Sequence, residues 1–217
     1  MVDHKNKWVF LHIPKCAGTS IGVTLNKHYD LLWNYDGFKI HHDDLTQKIL
    51  KEYFVFTIVR NPWDRLYSQY KFRPWLNCDP FEDTVYNLEN KFISAYNKDV
   101  NILPEGKDVR LDTAYYRANW YDEFVHIPSQ VDFLKGKYSD NINKIPYIDY
   151  IGKLENLQES WKVISERLGI EYEPLPHKNK SKNKNFFSNY RDAYDKKTEE
   201  YVREKYNEDI KLFNYEF

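Results

Sequence analysis

The stretch WVFLHIPKCAGTSI, residues Trp8 to Ile21, decides how the rest of the chain is read. Its apolar run Trp8, Val9, Phe10 and Leu11 has the composition of a buried strand. Pro14 stops the ladder, and Gly18 is expected to free the backbone where Thr19 and Ser20 open a helix that runs to Tyr29. A helix N-terminus carries roughly half a positive charge and unpaired N–H donors. With Lys15 beside it, the turn suits a phosphate or sulfate group, and the hydroxyls of Thr19 and Ser20 add donors.

A second stretch of equal weight is YFVFTIVRNPWDRLYSQYKF, Tyr53 to Phe72. Another run rich in β-branched and aromatic residues ends at Arg60, so again a strand delivers a cation. Asn61 suits the cap of the next helix and Pro62 its first position. Trp63, Leu66, Tyr67 and Tyr70 then repeat at helical spacing on one face, which leaves Arg60 and Ser68 toward something polar.

Together these segments resemble the sulfotransferases that use 3′-phosphoadenosine 5′-phosphosulfate (PAPS), in particular the branch acting on carbohydrates such as heparan, chondroitin and dermatan chains. The family pattern PKxAGTS is met by Pro14, Lys15, Cys16, Ala17, Gly18, Thr19 and Ser20, and RNPxxRxxSxY by the run from Arg60 to Tyr70. The likeness resumes at IDYIGKLENL, Ile148 to Leu157, and continues through LPHKNKSKNK to the closing NEDIKLFNYEF, while residues 73–146 match poorly. It implies that Lys15, Cys16, Ala17, Gly18, Thr19 and Ser20 hold the 5′-phosphosulfate and that Arg60 and Ser68 bind the 3′-phosphate. It also implies a histidine just before a short helix that leads into the second strand. His42 fits that place as general base, with His41 in reserve. The lysine-rich loop would cover the nucleotide through Lys180, Ser181 and Lys182, and residues 73–146 would form a helical insert that shapes the acceptor pocket.

The expected fold is α/β, a single domain over 1–217 with a mainly parallel sheet flanked by helices and a P-loop-like strand-loop-helix. Ligands in such sheets bind at the carboxyl ends of the strands, where Lys15 and Arg60 stand. A chain of 217 residues can bury about three quarters of its unfolded surface. With 19 Tyr in it, much of that core must be aromatic, and many hydroxyls then need partners. The 32 basic residues offset 33 acidic ones, which argues against nucleic acid as a partner. No apolar stretch approaches the roughly twenty residues needed to span a bilayer. MVDHKNK lacks a signal-peptide core, so the chain reads as soluble and cytoplasmic unless an anchor was removed. No metal-ligand cluster appears, and nothing sets an oligomeric state.

Elsewhere, Leu45, Ile49 and Leu50 suggest a short helix, and Phe81, Val85, Leu88, Phe92 and Tyr96 a long one. Residues 124–134 are ambiguous, and 145–151 look like a strand. Leu157, Trp161, Ile164 and Leu168 make a helical stripe ended by Gly169. Glu155 reads as a structural carboxylate, His12 and His126 as structural histidines, Cys16 as an unpaired loop residue, and Phe186, Phe187 and Tyr190 as packing. Two other function classes stay open. A nucleotide kinase or NTPase also grips phosphate on such a turn, although a Walker motif places Lys after its last Gly whereas Lys15 precedes Gly18. A catalytically silent nucleotide or sugar binder would keep the fold without turnover.

Overall fold

The computed structural model describes residues 1–29, 51–72, 76–77, 79–88, 129–135, 148–176 and 186–217. In chain order these form β1 (Val2–Asp3), β2 (Trp8–Leu11), α1 (Gly18–His28), β3 (Phe54–Val59), α2 (Pro62–Phe72), α3 (Phe81–Tyr86), α4 (Gln130–Lys135), β4 (Tyr150–Lys153), α5 (Leu157–Leu168), α6 (Lys196–Lys205) and α7 (Asn207–Phe213). The chain divides into two compact units, one of Met1–Asn61 with Ser129–Lys180 and one of Pro62–Pro128 with Ser181–Phe217.

The first unit is built on a sheet of order β1-β2-β3-β4, in which β1 runs antiparallel to β2 and the other pairs are parallel. This agrees with the α/β reading. Successive strand residues point to opposite faces. Val9 and Val55, in register, pack with Val2, Leu11 and Ile148, while Phe10 and Phe56 stack with ring centroids 5.2 Å apart. Strands buried on both faces lose the polar alternation of a surface strand, which is why both runs read as continuously apolar.

Of the strand expected over 145–151, residues 145–147 lie outside the described residues, and β4 itself is Tyr150–Lys153. Asp149 intercepts the ladder, its N–H donating to the Val55 carbonyl and its carboxylate accepting from the Val55 N–H, each at 2.8 Å. Regular pairing therefore starts at Tyr150 and extends through Gly152 and Lys153, residues with little strand preference of their own. Next, α5 packs against β4 and buries Trp161 and Ile164. Its end is as expected: Gly169 takes φ 69°, and the N–H of Ile170 reaches back to the Ser165 carbonyl at 3.1 Å.

The second unit has a largely aromatic core. The anticipated stripe Trp63, Leu66, Tyr67 and Tyr70 is buried with Leu76, Phe81, Val85, Leu88, Val202 and Tyr206. Polar ends find partners as that composition demands: the Trp63 indole donates to the Glu199 carbonyl at 3.0 Å, the Tyr194 hydroxyl to the Trp63 carbonyl at 2.8 Å and the Tyr70 hydroxyl to the Asp79 carbonyl at 2.9 Å. Burial, ahead of the neighbouring tyrosines and Asp64, pushes the Tyr194 phenol well above its usual range. At α6, the Asp195 carboxylate and the Thr198 hydroxyl cap each other's backbone, and the bonds that the Thr198 N–H and hydroxyl donate to the carboxylate hold Asp195 below its usual range. The helix expected from Phe81 reaches Tyr86; Phe92 and Tyr96 lie outside the described residues. Phe186 and Tyr190 pack on the aromatic cluster as expected, but Phe187 does not, being 54% exposed.

Candidate anion-binding site

The chain leaves β2 at Leu11 and turns through Ile13 to Ala17 into α1, the Cys16 N–H closing the turn on the Ile13 carbonyl at 3.2 Å. Lys15 and Ala17 take left-handed conformations, φ 69° and 61°. A non-glycine residue there costs about 1–2 kcal/mol, and such outliers persist where the surroundings over-determine them. Left-handed residues alternating along a turn draw successive N–H groups toward a common concavity. Ala17 is the helix N-cap, and its side chain makes no capping bond. Its first-turn N–H groups have no intrahelical acceptor by construction.

The role expected of Gly18 needs correcting. The backbone freedom of this turn is exercised at Lys15 and Ala17, and Gly18 is already the first residue of α1 without a positive φ. Glycine is required there for space instead, because a Cβ would lie 1.9 Å from Cδ2 and Nε2 of His12. His12, just past the end of β2, thus wedges its ring against the start of the helix, in keeping with a structural histidine. Desolvation by burial lowers its pKa to about 3, helped by the positive charges of the first amino group and of Lys15. The ring is therefore neutral at physiological pH.

Arg60 follows β3 directly. Its guanidinium Nη1 donates to the Lys15 carbonyl at 3.0 Å, so the two cationic strand ends read from the sequence meet within the first unit. The strands are also tied by the Thr57 hydroxyl, which donates to the Leu11 carbonyl at 2.7 Å. Asn61 donates its N–H to Oε1 of Glu155 at 2.6 Å, which gives that carboxylate the structural part expected of it.

One contributor was not legible in the sequence. Gln130, at the start of α4, is fully buried. Its Oε1 accepts from the Arg60 N–H at 2.8 Å, its Nε2 donates to the Arg60 carbonyl at 2.8 Å, and Oε1 also accepts from Cys16 Sγ at 3.4 Å. A signal for the helix was present. Ser129 and Asp132 bond reciprocally, the Ser129 N–H to the Asp132 carboxylate at 3.1 Å and the Asp132 N–H to the Ser129 hydroxyl at 3.0 Å, in the S-x-x-D pattern that opens helices. Cys16 is a buried thiol that forms no disulfide among the described residues.

Of the other expected site residues, Thr19 is half-buried and Ser20 buried in the first turn of α1. Ser68 is half-buried on α2 in the second unit. His41, His42, Lys180, Ser181 and Lys182 lie outside the described residues. Among the described residues, no group of three or more His, Cys, Asp or Glu could hold a metal ion, and no helix is long and apolar enough to cross a membrane.

A turn with left-handed residues at a helix start, a lysine within it and an arginine bonded to it can hold an anion and stabilise negative charge that grows on it. A family model described as "Sulfotransferase family" matches residues 1–216. Neither the curated proteins nor the solved structures include a match to the chain.

Proposed function

The chain belongs to the sulfotransferase family, and from that premise we propose that it moves a sulfuryl group from PAPS to an acceptor hydroxyl on a carbohydrate. The observation that supports this best is the bond from the Arg60 guanidinium to the Lys15 carbonyl, which ties the second strand end to the turn that carries Lys15. In this reading residues 1–217 act as one catalytic domain, cytoplasmic in location, and residues 73–146 shape the acceptor pocket.

The reaction is an in-line displacement. The acceptor oxygen bonds to sulfur as the bond from sulfur to the bridging oxygen breaks; the electron pair stays on the 5′-phosphate, and the acceptor proton passes to His42, with His41 as the alternative base. Lys15 neutralises charge growing on the bridging oxygen. The hydroxyls of Thr19 and Ser20 hold the 5′-phosphate with the backbone from Cys16 through Gly18. Arg60 and Ser68 recognise the 3′-phosphate, and Lys180, Ser181 and Lys182 close over the nucleotide. Most of the acceleration comes from alignment and preset charge, as in phosphoryl transfer.

Transfer of labelled sulfate from PAPS to a panel of glycans, phenols and amines tests the proposal. Label on a glycan hydroxyl is the expected result. His42→Ala should slow transfer by about a hundredfold to ten-thousandfold while donor binding persists. Phosphate transfer from ATP instead, or donor binding without any turnover, contradicts the reading.

A further inference from the structure

We propose that Gln130 is a positioning residue for the donor site, one that fixes Arg60 relative to the turn carrying Lys15. This rests on the donor reading above and adds to it a residue that no part of the sequence pattern singles out.

The geometry is specific to a carboxamide. Pairing of β3 with β2 stops at Thr57 and with β4 at Val59, so Arg60 sits just beyond both ladders. There the Gln130 side chain takes over, accepting from the Arg60 N–H and donating to its carbonyl, each at 2.8 Å. Both soft dihedrals of Arg60 are thereby restrained at the base of its long side chain. The same Oε1 takes a third bond from Cys16 Sγ at 3.4 Å, inside the turn whose Lys15 carbonyl accepts from the tip of Arg60. The arginine is thus tied to one turn at both ends, through Gln130 at its root and Lys15 at its head. A carboxylate lacks the donor and a thioether lacks both strong partners, so neither Glu nor Met can replace the amide. Gln130 is fully buried, which removes water as a substitute.

The test is a double-mutant cycle, read as the affinity of the full chain for adenosine 3′,5′-bisphosphate by calorimetry. Gln130→Met keeps the side-chain volume and removes the amide. It should weaken binding by about tenfold in the otherwise native chain and by less than about twofold in an Arg60→Ala background, because nothing then remains to be positioned. If Gln130→Met does not fold, Cys16→Ala removes only the thiol end of the tie, and a loss of about threefold that vanishes beside Arg60→Ala supports the same positioning role. Equal losses in the two backgrounds mean that Gln130 merely supports the fold, and an unchanged affinity means that it does nothing at the site; either overturns the proposal while the donor reading stands. A native chain that does not bind the bisphosphate overturns both.

Discussion

The chain leaves β2 and β3 in opposite ways. Past β2 the turn closes on a backbone bond from the Cys16 N–H to the Ile13 carbonyl and is shaped by two left-handed non-glycine residues and a histidine ring pressed where Gly18 has no side chain. Past β3 the chain is held by side-chain bonds: both polar backbone groups of Arg60 are bonded by Gln130, and the N–H of Asn61 by Glu155. The first arrangement leads straight into the start of α1, whose first-turn N–H groups have no intrahelical acceptor. The second uses up backbone groups and leaves a fixed post from which a long cation projects. A site that must grip one charged group tightly and measure the position of another needs both.

The contrast can be broken most sharply at Lys15. Its replacement by alanine should lower the rate of sulfuryl transfer by about a hundredfold to a thousandfold, and equal turnover by Lys15→Ala and the native chain would remove the strained turn from the chemistry. Next comes the wedge. Gly18→Ala sets a methyl group 1.9 Å from the His12 ring and should cost about 1–3 kcal/mol in urea unfolding. Adding His12→Ala to that variant should recover part of the loss, whereas Gln130→Met, which acts at the other junction, should not.

His12 also gives the wedge a dependence on pH. Its pKa falls from 6.5 in the unfolded chain to about 3 in the folded one, so between those values the unfolded state binds more protons. The stability is fully present above pH 6.5 and is lost as pH falls toward 3, by up to about 1.4 kcal/mol per unit. Unfolding midpoints measured at pH 7 and pH 5 should therefore separate more in the native chain than in His12→Asn. Equal separation would show that the ring is not held neutral. The smallest effect is opposite in sign: Ala17→Gly at φ 61° should relieve strain and stabilise by up to about 1 kcal/mol. A loss of stability there would show that the turn is not strained.

Both strand ends were readable because strand, breaker and helix-start signals are local, and they stand in order at Trp8 to Ile21 and at Phe54 to Tyr70. The stripe of α2 and the end of α5 at Gly169 followed from the same local rules. What escaped was non-local. Nothing near Gln130 shows that its amide will meet Arg60, since that pairing exists only once α4 is brought against the sheet. The reason for glycine at position 18 is non-local too, because sequence shows the missing side chain but not the His12 ring that occupies its place. At Asp149 a carboxylate accepts from the Val55 N–H in place of a ladder partner, which no propensity scale contains.

That Lys15 and Arg60 serve a single nucleotide phosphorylated at both ends is tested most directly by calorimetry on the native chain, comparing adenosine 3′,5′-bisphosphate with adenosine 5′-monophosphate and with ATP plus Mg²⁺. Tighter binding of the bisphosphate than of either competitor is the predicted result. A preference for ATP with Mg²⁺, or equal affinity for the bisphosphate and the monophosphate, would contradict it.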